Sequence, residues 1–270
     1  MTPEAHAAFI ATLLDRLAAE PDVLGLVLLG SSSGQAPAPD AFSDHDFFVV
    51  TQAGRQERLR NELGWLPDEA DLVLRLRETA HGVKAMYASG HLLEFAVFDL
   101  DELAVARVNR YRVALDRADV AARMAAVHHA TRAATSAPVD PTWHAGQLLT
   151  ALAVSAGRAA RGERLSGHHH LRNAALVHLA TLLRTRHGDG GSRDDLDITR
   201  RFEQALPALG AELDAALRLP VIDAASALLA LSRRELGDLV SPRACDAVAA
   251  VLLRARGEAP TRRTDATTDR

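Results

Sequence analysis

The 270-residue chain contains one cysteine, Cys245, and one lysine, Lys84, and only 4% of it is aromatic. A single thiol excludes an intrachain disulfide framework, and without a cysteine cluster there is no thiolate site for structural zinc. A reducing compartment is expected. The N-terminal Met-Thr-Pro-Glu-Ala-His lacks the basic-then-apolar order of a signal peptide, so the cytoplasm is the expected location. No uninterrupted apolar stretch reaches bilayer length, so no membrane partner is expected. An excess of positive charge is missing too. With 31 basic and 35 acidic residues the formal net charge is −4, which disfavours a nucleic-acid partner and favours a small molecule. Hydrophobic residues, by contrast, make up 48% of the chain, enough at this length to bury a substantial core divided between two domains.

The most informative stretch runs from Gly25 to Val50. Val23 to Leu29 is apolar and too short for a helix, hence a buried strand that ends in Gly30-Ser31, where the backbone turns tightly. Small residues at such a turn let phosphate oxygens approach main-chain N–H groups. Phe47 to Thr51 is a second strand with Asp44 and Asp46 at its mouth. Side chains at i and i+2 of a strand share a face, so the two carboxylates lie side by side. They repel unless a cation lies between them, and hard oxygen ligands suit Mg²⁺ carrying the phosphates of a nucleotide.

At Gly30, Ser31, Asp44 and Asp46 the sequence resembles the DNA polymerase β-like nucleotidyltransferase superfamily, whose signature is Gly-Ser, a variable loop, then Asp-x-Asp/Glu with apolar flanks. The fuller string Asp40-x-Phe42-Ser43-Asp44-x-Asp46-Phe47 resembles the antibiotic-modifying branch, especially lincosamide and aminoglycoside nucleotidyltransferases. The resemblance is specific over residues 20 to 100. Two departures stand out: His45 occupies a position usually apolar, and the loop before Asp44 is long and carries Pro37 and Pro39. The resemblance implies Mg²⁺ at Asp44 and Asp46, an NTP co-substrate with ATP as the expected donor, and phosphates cradled by Gly30, Ser31 and Ser32. It also implies a small-molecule acceptor, with a homodimer left open.

Nucleotidyl transfer calls for a third acid to hold metal or to take the acceptor's proton. Glu94 interrupts the apolar Leu92 to Phe98, and an ionised Glu in such a strand is costly unless paired or metal-bound. The resemblance supports Glu94 as metal ligand or general base; the alternative is a solvated Glu on an edge strand. Arg200-Arg201-Phe202-Glu203 matches in layout an Arg-Phe-Glu string of the related enzymes, which makes Arg201 a candidate for the triphosphate, against the alternative of a helix-start salt bridge.

Around these residues the pattern predicts an α/β (α+β) nucleotidyltransferase domain with a mixed sheet over residues 1–117. An all-α helical bundle over 118–257 and a disordered polar tail over 258–270 follow. Thr2 and Pro3 open the first helix, and Gln56 to Leu63 forms a short one. Further strands are Leu72 to Leu76, Val83 to Tyr87, Leu92 to Phe98 and Tyr111 to Leu115, the last suggested by the resemblance. Asp140-Pro141 opens a helix to about Arg161, Ser166 caps the next, which ends at the glycine-rich turn 188–191, and later helices span Glu203 to Leu217, Ile222 to Leu236 and Pro242 to Arg256. Trp143 reads as a core filler, and His168-His169-His170 as helix surface, since consecutive helical residues diverge by about 100° and do not converge on one ion. Arg172 and His178 fit the Arg-x(4 to 6)-His spacing of HEPN-type ribonucleases, whose toxin–antitoxin function on RNA or a protein partner is one alternative. A transferase acting on a cellular metabolite and a catalytically inactive binding protein are the others.

Overall fold

The computed structural model describes residues 2–35, 38–135, 138–188, 194 and 196–257. Pro37, most of the glycine-rich turn, and the tail 258–270 lie outside the described residues. The chain divides into two compact units, Met1–Ala137 and Pro138–Arg270.

The first unit is an α+β fold on a mixed six-stranded sheet of β1 (Val23–Leu29), β2 (His45–Thr51), β3 (Leu72–Arg77), β4 (Gly82–Tyr87), β5 (Leu92–Asp99) and β6 (Tyr111–Asp116), ordered β3-β4-β5-β2-β1-β6. Among the described residues only β2 and β5 pair in parallel. Helix α1 (Pro3–Ala19) starts as its sequence dictates: the Thr2 hydroxyl accepts from the Ala5 N–H, and Pro3 occupies a first-turn position where no N–H is needed. Alternation along the strands builds two cores. Phe47, Val49, Leu93, Phe95, Val97, Val83 and Ala85 face Leu13 and Leu17 of α1 and Leu59 of α2 (Gln56–Asn61). Val27, Val50 and Phe98 face Val120, Met124 and Val127 of α3 (Val120–Thr135).

In the second unit every described element is helical: α4 (Pro141–Ala160), α5 (Arg164–His170), a π-helical turn Leu171–Ala175, α6 (Leu176–His187), α7 (Phe202–Ala205), α8 (Pro207–Leu217), α9 (Val221–Glu235) and α10 (Pro242–Arg256). Fully buried Leu148 and Leu152 anchor α4 against α6, α9 and α10. The Asp140 carboxylate caps α4 by accepting from the Thr142 and Trp143 N–H groups. Among the described residues no helix is long and apolar enough to cross a membrane.

Several expected boundaries are corrected. The second helix of this unit starts at Arg164, not at Ser166, whose hydroxyl instead accepts from Arg158 Nη1. Glu203 to Leu217 is two helices, because Pro207 lacks the N–H that a continuous helix needs and Leu206 leaves helical conformation (φ −132°, ψ 69°). Trp143 is 53% exposed, and no core filler. Beside the Asp140 cap it points outward, its ring edge-on to His144 and His178.

Candidate active site

Alternation decides what each end of β2 presents. Phe47 and Val49 are fully buried on the face of α1, so Asp46 and Phe48 point to the opposite face. The parallel register sets Asp46 beside Glu94, and the antiparallel register of the next pair sets Glu94 beside Lys84. Three neighbouring strands thus carry an acid–acid–base row across one face. Strand β5 is internal to the sheet, so Glu94 does not belong to an edge strand. Lys84 Nζ lies 3.0 Å from Glu94 Oε1 and 3.0 Å from Glu78 Oε1, and these contacts, that to Glu78 foremost, raise its pKa. Lys84 was not anticipated from the sequence, although a lone lysine among 31 basic residues is a signal in itself.

Gly30 adjoins the Asp46 carboxylate. It follows β1 at φ +51°, a left-handed conformation that side chains disfavour, and a Cβ there would lie 3.2 Å from Asp46 Oδ2. Gly30–Ser33 forms a 3₁₀ turn. Within it the Ser33 hydroxyl donates to the Gly30 carbonyl (2.7 Å) and accepts from the Gln35 N–H (3.2 Å), which fixes the turn from inside. Ser31 is half-buried. Ser32 is buried with its hydroxyl 3.4 Å from His6 Nε2. Asp44 is half-buried immediately before β2, its carbonyl 3.3 Å from the same His6 nitrogen. One imidazole therefore reaches both halves of the motif.

His45, the unusual residue between the aspartates, faces the α1 side and is 1% exposed. Its ring stacks on His6 at 3.7 Å; Nε2 lies 3.1 Å from the His6 carbonyl and Nδ1 2.7 Å from His91 Nε2. An Nε2–H donor to the carbonyl makes Nδ1 the acceptor, so His91 donates to His45 and both rings are neutral. Burial first, and then the neighbouring imidazoles, pushes His45 down to about 3; burial and His6 push His91 down to about 4. A neutral imidazole with both nitrogens satisfied meets the demand for an apolar-compatible residue at this position. Nothing in local sequence foretold the trio, which joins residues up to 85 positions apart.

Whether these residues suit a divalent cation turns on donor chemistry. Asp44 and Asp46 offer hard carboxylate oxygens, and at the turn beside Asp46 a side-chain Cβ would crowd Oδ2 at 3.2 Å. Among the described residues no group of three or more His, Cys, Asp or Glu is placed around one ion. The arrangement suits Mg²⁺ arriving with a nucleotide, which takes one or two carboxylates and completes its shell with phosphate and water. It does not suit a cation caged by protein alone.

The remaining candidates lie in the second unit. Arg201 is left-handed (φ 57°) just before α7. Buried Arg184 holds that segment, donating to the Ile198 and Arg200 carbonyls and stacking over Phe202. Arg184 too was missed, since its role depends on a loop fourteen residues on. Arg172 donates to the Leu217 carbonyl, whereas His178 Nδ1 meets His144 Nδ1 at 3.0 Å, so the two residues of the ribonuclease-like spacing have separate partners. His169 is engaged by Asn173.

No protein-family model and no curated protein matches the chain. Among solved structures it is similar to an aminoglycoside 6-adenyltransferase from Bacillus subtilis, with a TM-score of 0.35, 11% identity, and coverage of 92% of this chain and 97% of that one. It is also similar to a nucleotidyltransferase-like protein from Exiguobacterium sibiricum 255-15, with a TM-score of 0.34, 12% identity, and coverage of 92% and 77%. At these values neither likeness bears on activity or substrate.

Proposed function

We propose that the chain is a nucleotidyltransferase that moves a nucleoside monophosphate, AMP first among candidates, from an NTP to a hydroxyl of a small molecule. The acceptor class we favour is a lincosamide or aminoglycoside antibiotic, on the resemblance of the segment from Asp40 to Phe47. The observation that carries the reading is the placement of Asp46 beside Glu94 on parallel strands, on the sheet face next to the left-handed Gly30 turn.

In this reading Asp44 and Asp46 hold Mg²⁺, which when bound neutralises the triphosphate. The open backbone at Gly30 and Ser31 receives the β and γ phosphates; at Ser32 it is the main chain that serves, because the hydroxyl is turned toward His6. The acceptor oxygen forms a bond to the α-phosphorus as the bond to pyrophosphate breaks, and the hydroxyl proton is lost. Glu94 is proposed as its acceptor rather than as a third metal ligand, since the described residues gather no three acids around one ion, and Lys84 orients the Glu94 carboxylate from the neighbouring strand. Arg201 is proposed as a triphosphate contact. Binding of nucleotide and orientation of the acceptor supply most of the rate, since phosphoryl chemistry leaves the protein little covalent work.

Mass spectrometry tests this directly. Reactions with Mg²⁺, the four NTPs and a panel of lincosamides and aminoglycosides should give an acceptor heavier by one nucleotidyl group, together with pyrophosphate. The Asp46→Asn variant should give neither. Adducts of equal yield in the variant would refute the role of Asp46.

A further inference from the structure

On the sheet face opposite Asp46 lies a cavity of about 540 Å³ that the proposed transfer does not use. It is bounded by the first turns of α1, the turn at 67–71 and the β4–β5 hairpin, all within the first unit. Three rings form one corner: Phe9 meets Tyr87 edge-on (6.1 Å, 81°) and His91 edge-on (5.1 Å, 88°), and Tyr87 stacks on His91 (5.3 Å, 11°). Asp68 and Asp71, both exposed, also line the cavity. Among the described residues no Lys or Arg lines the cavity and no ion pair joins either aspartate to a basic group; Arg16 lies nearby but is turned to the Leu66 carbonyl. His91 brings no compensating charge near neutral pH, because burial and His6 push it down to about 4.

The walls are fixed in advance. The Tyr87 hydroxyl donates to the Pro67 carbonyl and the Ala88 N–H to the Asp71 carbonyl (2.9 Å), tying the hairpin to the turn. Asp68 takes the left-handed region (φ 49°, ψ 40°), which aspartate tolerates better than most side chains and which shapes the turn here. An aromatic corner sharing a cavity with two carboxylates that have no ion-pair partner among the described residues, at a volume usual for small-molecule sites, is the chemistry that recognises an organic cation.

We infer that this cavity is a second small-molecule site, specific for an ammonium compound carrying an apolar or aromatic body. The ring occupies the corner of Phe9, Tyr87 and His91, and the ammonium group faces Asp68 and Asp71. The site is independent of the nucleotide chemistry on the other face.

The test is a pair of titrations of the full ¹⁵N-labelled chain, one with benzylamine and one with the neutral benzyl alcohol, followed by amide chemical shifts. Benzylamine should saturate, with shifts confined to residues 5–12, 67–71 and 87–91, and should bind about tenfold more tightly than the alcohol. Asp71→Asn and Asp68→Asn should each weaken benzylamine several-fold, by loss of one nearby charge, while leaving the alcohol unaffected. The unchanged alcohol titration certifies that the variants are folded. Equal affinity for amine and alcohol, shifts mapping elsewhere, an absence of saturation, or unchanged amine binding in both variants would each overturn the inference.

Discussion

The two faces of the sheet differ although the same strands build them. Toward α1 and α2, β2 presents His45, Phe47 and Val49 and β5 presents Leu93, Phe95 and Val97, all buried. Toward the other face the same strands present Asp46, Phe48 and Val50, and Glu94, Ala96 and Phe98. There the apolar pairs pack with α3, whereas Asp46, next to the Gly30 turn, and Glu94 beside it lie near the starts of their strands. A single period-2 pattern therefore encodes a continuous core on one side, and on the other a core that gives way to a charged row. The lesson is that a charged residue inside an apolar strand marks the edge of a helix's cover, and so a place where a ligand can sit.

Substitutions should separate the faces most sharply at adjacent positions of β2. Phe47→Ala removes a fully buried ring stacked on Phe95 at 5.1 Å and should cost about 3–5 kcal/mol in denaturant unfolding. Asp46→Asn, one residue earlier, should leave stability within about 1 kcal/mol and lower nucleotidyl transfer at least about a hundredfold. Comparable stability losses at the two positions would erase the distinction.

The next largest effect is on pH dependence. Unfolded histidines protonate near 6.5, whereas His45 and His91 resist protonation in the fold down to about 3 and about 4. Between those values the unfolded chain binds more protons, so folding stability must fall as pH drops from about 6.5 toward 4. Buried His45 alone is worth about 2 kcal/mol between pH 6.5 and 5. Urea midpoints across that range should fall, and His91→Leu should flatten the slope by removing one of the coupled rings.

Much of this was legible in sequence. Val23 to Leu29 alternates little and ends in glycine, and it is β1 with those bounds. Asp-x-Asp placed its acids at a strand mouth, although β2 begins two residues before the expected Phe47 because His45 pairs with Leu93 of β5. What escaped depends on partners distant in the chain. The apposition of Lys84 and Glu94 needs the β4–β5 register, and the stacking of His6 on His45 needs α1 to cross the sheet. Ser166 showed a capping residue type without showing that Arg158 would claim its hydroxyl. The break at Pro207, by contrast, was in the sequence from the start.

Smaller effects sharpen the charged face itself. Gly30→Ala should cost about 1–2 kcal/mol, because alanine disfavours φ +51°, and it should also reduce transfer by crowding Asp46. Thermal melts and turnover measured on the same sample check both. Lys84→Met should change stability by less than about 1 kcal/mol, since the Lys84–Glu94 pair is about a third exposed, while slowing transfer through a less well oriented Glu94.

The most direct measurement is isothermal titration of ATP into the wild-type chain and the Asp46→Asn variant, each with Mg²⁺ and with EDTA. The account predicts binding to the wild type that requires Mg²⁺ and is lost in the variant; binding that is indifferent to Mg²⁺ or unchanged in the variant would contradict it.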